Sequence, residues 1–121
     1  TNQGLVVTAS TIYMRLMGAA GLLQSAQICH HRAKQLYQKL ISLKDIDGVF
    51  ETAFFNEFVI CSQRHTSQFI LNSLKKHGIQ GGYDLTQNFP ELGQAILVCA
   101  TETKTESDIA FYQHCLFKEL V

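Results

Sequence analysis

Apolar residues recur along this chain at helical spacing towards both ends and at strand spacing in two places between. From Leu5 to Met17, the positions Leu5, Ala9, Ile12 and Leu16 fall on one helical face, and Val6, Val7, Tyr13 and Met17 widen it. A helix apolar over so wide an arc needs cover on more than one side. Gly18 is placed to end it, and Gly21 lets the chain turn before a second helix. In that helix, the longest, Leu22, Ala26, Cys29, Ala33, Leu36 and Leu40 alternate steps of four and three, while Gln24, Gln27, His31, Lys34, Gln38 and Lys39 lie largely off the stripe. Such a stripe is read as a packing face rather than a cofactor box. Asp45, Asp47 and Gly48 break the pattern.

Val49-Phe50-Glu51 is expected to start a short strand, and Phe54 to Cys61 a longer one. In the longer strand Phe54, Asn56, Phe58 and Ile60 face one way, and Phe55, Glu57, Val59 and Cys61 the other. Asn56 and Glu57 are polar residues in an apolar strand, placed to meet solvent at an edge or a partner at an interface. Thr66 or Ser67 caps a third helix with Phe69, Ile70 and Leu74 facing inward, and Gly78 ends it. Gly78 to Glu102 then reads as a helix stop, a polar connection holding Gly81, Gly82, Asp84 and Pro90, and a strand, Ala95 to Ala100, buried on both faces. Thr105 and Asp108 have capping-box spacing, and Ile109, Tyr112, Leu116 and Leu120 give a final helix its inner face. With short extra strands near Val49 and Ile79, the order predicts an α+β unit: an antiparallel or mixed sheet with helices packed on one face.

Composition narrows the picture. A chain of 121 residues fits one domain, and 46% hydrophobic residues are enough for a core. Ten basic side chains balance ten acidic ones, which argues against a nucleic-acid-binding face. The one basic run, Lys75-Lys76-His77, sits where cations favour a helix C-terminus. Four cysteines without a CxxC pair read as small buried hydrophobes in a reducing compartment. The longest apolar runs fall short of a membrane span, so no membrane partner is expected. The abrupt start at Thr1 reads like a piece cut from a longer protein, so missing targeting signals mean little.

Chemistry-bearing patterns are sparse. His30-His31 beside Cys29, and His114 beside Cys115, point about 100° apart on a helix and do not form a ligand set, so no metal is expected. No G-x-S-x-G elbow occurs. Gly78-x-x-Gly81-Gly82 lacks the Walker lysine, leaving only backbone contact with an anion open. No lysine has the buried, partnered setting that lowers an amine's pKa, so no catalytic residue is expected here.

Several words nevertheless occur together, in order, over nearly the whole chain: TNQGL at Thr1–Leu5, STIYMRLMG at Ser10–Gly18, GLLQSA at Gly21–Ala26, FFNEFV at Phe54–Val59, GIQGGYDL at Gly78–Leu85, FPELG at Phe89–Gly93 and LVCATE at Leu97–Glu102. Through them the chain resembles the C-terminal part of subunit 1 of glycine dehydrogenase (decarboxylating), the P-protein of the glycine cleavage system. Ser10, Arg15 and Cys61 depart from the pattern.

The resemblance implies a pyridoxal-phosphate enzyme of the aspartate-aminotransferase fold, with residues 1–44 as a long helical lead-in and 45–121 as the small C-terminal domain. It implies glycine decarboxylation with aminomethyl transfer to the lipoyl group of H-protein, in a heterotetramer. The lysine that holds the cofactor would belong to subunit 2 or to the second half of a fused chain. Thr1, Asn2 and Gln3 would stand where related enzymes place a polar loop that reaches the cofactor phosphate across the subunit interface; the alternative is that they only enter and cap the first helix. Gly81, Gly82, Asp84, Thr101 and Glu102 are candidates for the substrate mouth, with structural roles as the alternative. The location implied is cytoplasmic in a bacterium or the mitochondrial matrix in a eukaryote. The competing reading is a non-catalytic α+β interaction or oligomerisation module.

Overall fold

A computed structural model describes residues 3–121. The chain opens with α1 (Gly4–Ile41), one element kinked at Gly18, where φ is 63° and ψ 179°. That backbone conformation is almost confined to glycine. The expected break therefore occurs at Gly18 without a full turn of the chain, and Gly21 lies inside the helix. The four strands β1 (Ile46–Gly48), β2 (Glu57–Ser62), β3 (Tyr83–Asp84) and β4 (Ala95–Cys99) form one sheet in the order β1-β2-β4-β3, antiparallel throughout. α2 (Ser67–Lys76) joins β2 to β3, a 3-10 turn at Pro90–Leu92 precedes β4, and α3 (Glu106–Leu120) closes the chain.

The sheet has a covered face and an open one. Register pairs Phe58 with Val98 and Ile60 with Ile96. These four are buried against Ala33, Leu36 and Leu40 of α1, Ile70 and Leu74 of α2, and Ile109 and Leu116 of α3. Helices packed on one face of an antiparallel sheet are the expected α+β arrangement. The open face pairs Val59 with Leu97 and Glu57 with Cys99. Here the expectation of a strand buried on both faces is corrected: Leu97 is half-buried and Cys99 exposed. An apolar run gives no sign of which alternate residues a neighbour covers. Glu57 is exposed on this face, and Asn56 is half-buried with its carbonyl accepting from Ala100 N–H at 3.1 Å.

Three further boundaries differ from the sequence reading. β2 begins at Glu57, because Phe54 turns inward to meet Tyr37 and Phe58 at ring-centroid distances of 5.3 Å each. The extra strands are Ile46–Gly48, which ends next to Val49 as expected, and Tyr83–Asp84, which lies beyond Ile79 rather than at it. Val49 N–H still reaches Val59 O at 3.1 Å, whereas Ile79 N–H is taken by Leu74 O at 3.1 Å to close α2. Phe69 is 42% exposed rather than inward, stacked on His65 at 5.1 Å.

The caps follow their local chemistry. Thr66 Oγ1 accepts from Phe69 N–H at 3.2 Å, while Ser67 is buried and its Oγ donates to Ala95 O at 3.3 Å. Thr105 and Asp108 form the full reciprocal capping box of α3.

Along α1, burial begins only at Cys29; Leu22 is exposed and Ala26 half-buried, so the inward stripe is shorter than its spacing predicts. Upstream, Leu5 is 85% and Leu16 82% exposed. α1 is also long and apolar enough to cross a membrane by length and composition, with none of its most apolar 18-residue window buried. This corrects the expectation that no stretch approaches a span. That expectation counted contiguous apolar residues, whereas the glycines, alanines, serines and threonines between them scarcely lower the average over a helix.

Candidate functional site

Three segments carry the sequence-predicted site residues, and the fold treats each differently. Thr1 and Asn2 lie outside the described residues. Gln3 is exposed at the N-cap of α1, and its side chain makes no capping hydrogen bond. The first-turn N–H groups of that helix thus have no side-chain cap from Gln3, an arrangement that suits an anion.

The second segment connects α2 to β3. Gly81 is buried, and its carbonyl accepts from the Tyr112 hydroxyl at 2.6 Å. Burial pushes the Tyr112 phenol far above its ordinary value, so it stays a donor at neutral pH. A Cβ on Gly81 would run into Leu74. Gly82 has φ 152° and lies against the Leu97 carbonyl, where a side chain would be both strained and blocked. Asp84 Oδ1 accepts from Thr86 N–H at 2.9 Å and from Thr86 Oγ1 at 2.7 Å, which folds the carboxylate into a local turn.

The third segment follows β4. Thr101 Oγ1 lies 3.0 Å from Thr103 Oγ1. Glu102 is joined to α1: the Cys29 thiol donates to Glu102 Oε2 at 2.9 Å, and Glu102 N–H reaches Cys29 Sγ at 3.3 Å. The bond from Cys29 holds the Glu102 carboxyl below the usual carboxylate range, and the same bond holds the thiol above its ordinary value. Residues 73 apart in sequence make this contact, and no spacing rule could have found it.

Antiparallel pairing of Tyr83 with Leu97 runs Gly81 alongside Cys99, so the second and third segments share one end of the sheet. A cleft of about 430 Å³ opens there, walled by Ile79, Cys99, Lys104 and Phe111 among others. Gly81, Gly82, Asp84, Thr101 and Glu102 are not among the residues that line it, although Gln80 and Ala100, next to Gly81 and Thr101, are. Sequence reasoning missed its wall residues. Period-two alternation along β4 could have exposed Cys99, and the spacing of α3 could have placed Phe111 off the inner face.

The remaining chemistry is limited. Lys39 is half-buried with Nζ 3.5 Å from Gln113 Oε1, and the other lysines are exposed. Among the described residues no group of three or more His, Cys, Asp or Glu side chains is gathered as a metal site would require.

Comparison with known proteins places this geometry. Residues 1–116 match the model of the glycine cleavage system P-protein family. Among curated relatives, probable glycine dehydrogenase (decarboxylating) subunit 1 of Coxiella burnetii (strain RSA 493 / Nine Mile phase I) is 39% identical over 116 residues, covering 96% of this chain and 26% of the relative. The Methylococcus capsulatus protein of the same name is 42% identical over 120 residues, covering 99% and 26%. That of Legionella pneumophila (strain Corby) is 43% identical over 116 residues, covering 96% and 25%. The chain thus spans about a quarter of the length of these relatives.

Two solved structures share the fold. A glycine decarboxylase (P-protein) of the glycine cleavage system, in inhibitor-bound form, superposes with a TM-score of 0.79 at 22% identity, over 89% of this chain and 24% of that one. A sphingosine-1-phosphate lyase of Burkholderia pseudomallei superposes with a TM-score of 0.78 at 14% identity, over 99% and 26%. At such low identity these two likenesses speak for the fold alone. The sequence match over residues 1–116 carries the assignment: this chain belongs to the glycine cleavage system P-protein family.

Proposed function

We propose that this chain serves as the C-terminal segment of glycine decarboxylase subunit 1, supporting decarboxylation of glycine and aminomethyl transfer to the lipoyl group of H-protein. The observation that carries this reading is the family match over residues 1–116. Pyridoxal phosphate, when bound, supplies the electron sink for loss of the carboxylate. The residues present fit a phosphate contact: the Gln3 side chain does not cap the start of α1, and first-turn N–H groups there suit an anion. By the family resemblance, the anchoring lysine is assigned to subunit 2 or to the second half of a fused chain.

Within this reading, Thr1, Asn2 and Gln3 offer hydroxyl and amide donors to the phosphate in trans, beside the first-turn N–H groups of α1. Gly82 allows the chain to approach β4 closely, and Glu102 presents a carboxylate near the same end of the sheet. Together with Gly81, Asp84 and Thr101 they shape the mouth through which glycine and the lipoyl arm enter. The exposed apolar face of α1 packs against the companion polypeptide in a heterotetramer.

Reconstitution of full-length subunit 1 with subunit 2 tests this. Glycine–bicarbonate exchange and the visible absorbance of bound cofactor are expected only when both are present. Exchange in the absence of any subunit 1 would overturn the reading in favour of a non-catalytic module. Replacing Asn2 and Gln3 by alanine is expected to speed cofactor loss; unchanged retention would remove the trans contact.

A further inference from the structure

The β4–α3 connection and the start of α3 are fastened to α1 at two points. One is the reciprocal pair of bonds between Cys29 and Glu102, at 2.9 and 3.3 Å. The other, three residues further along the helix, is Arg32 Nη1 at 3.3 Å from Glu106 Oε1. They differ in kind. The Glu106 side chain is 77% exposed, and an ion pair so open to water contributes little. Cys29 is buried and engages both the main chain and the side chain of one residue, so it fixes the rotamer of Glu102 as well as the path of the loop. Among the described residues, the second carboxylate oxygen of Glu102, Oε1, has no hydrogen-bond partner.

We propose that Cys29 is a positioning residue for Glu102: its thiol, together with the Glu102 N–H, holds the carboxylate in one orientation at this end of the sheet. The proposal rests on Glu102 belonging to the substrate mouth. The chemistry is consistent on both sides. The thiol remains a protonated donor because the carboxylate raises it, and the carboxylate remains ionised because the thiol bonds to it.

The test uses the two-subunit enzyme carrying Cys29→Ala, Cys29→Ser, Glu102→Gln, the Cys29→Ala/Glu102→Gln pair, and Arg32→Ala. Cys29→Ala is expected to change glycine–bicarbonate exchange in the same parameter as Glu102→Gln, KM or kcat, by up to about tenfold. Combining the two should be no worse than Glu102→Gln alone, as expected for residues acting as a unit. Cys29→Ser, which keeps a donor, should recover most of the loss. The acid limb of the pH profile should move to higher pH in Cys29→Ala, because the carboxyl loses the bond that depresses it. Arg32→Ala should leave both kinetic parameters near those of the unaltered enzyme.

If Glu102→Gln changes exchange while Cys29→Ala does not, the proposal is overturned and the mouth reading stands. If neither changes exchange, the mouth reading falls and the proposal with it. Equal losses in the alanine and serine variants would make Cys29 merely structural and also overturn it. A second measurement covers failure of the alanine variant to assemble. Site-resolved iodoacetamide labelling of Cys29 should be faster in Glu102→Ala than in the unaltered enzyme, with buried Cys115 unchanged; equal rates at Cys29 would count against the tie.

Discussion

Individual residues show how much of this chain answers to local chemistry. The Thr105–Asp108 capping box was legible because four consecutive residues supply all its parts. The Thr105 N–H and hydroxyl hold the Asp108 carboxyl below the usual carboxylate range. A depressed folded-state value contributes stability that is complete above the unfolded carboxylate value and lost as pH falls through the folded one. Unfolding midpoints of the full subunit should therefore drop between about pH 5 and pH 3 by less in Asp108→Asn than in the unaltered protein. Gly82 makes the opposite case, since its role depends on a neighbour distant in sequence. With φ 152° and the Leu97 carbonyl where a Cβ would stand, Gly82→Ala should cost about 2 kcal/mol or more, read as a lowered Tm. The glycine pair itself was visible in the sequence, but the strand it had to approach was not. The Cys29–Glu102 bond was equally hidden, because nothing in either local pattern names a residue 73 positions away as its partner.

At the level of elements, periodicity found every helical segment among the described residues, though it read kinked α1 as two helices, and it found the two longer strands. It set burial less well. Leu22 and Ala26 continue the spacing of Cys29, Ala33, Leu36 and Leu40, yet only the last four meet the core. Spacing fixes which way a side chain points, whereas burial depends on whether α3 and the sheet extend far enough to meet it. Leu36→Ala should accordingly cost about 2–5 kcal/mol in urea unfolding, while Leu22→Ala should cost less than 1 kcal/mol (about the surface range) unless an added partner covers it. The kink at Gly18 belongs to the same scale. Alanine there should cost about 1–3 kcal/mol if the kink persists, or straighten α1 if it does not. On the proposed packing of α1 against subunit 2, straightening should weaken their association, measured by sedimentation of the mixed subunits.

For the whole molecule, the most telling feature is the contrast between a closed core and an uncovered first helix. Leu5 and Leu16 are largely exposed although they lie on the most apolar helix of the chain. On the proposed packing of α1 against a companion subunit, Leu5→Asp with Leu16→Asp should leave the unfolding of the α+β core unchanged but abolish that proposed assembly, seen by light scattering of the mixed subunits. The sequence by itself determined the helices, their caps, the α+β class and the family, because each rests on neighbours within a few residues or on words kept in order along the chain. Tertiary structure alone decided the strand order β1-β2-β4-β3, which sheet face stays open, and the meeting of Cys29 with Glu102. Those depend on which distant surfaces exclude water from one another, a property of the packed chain rather than of any stretch within it.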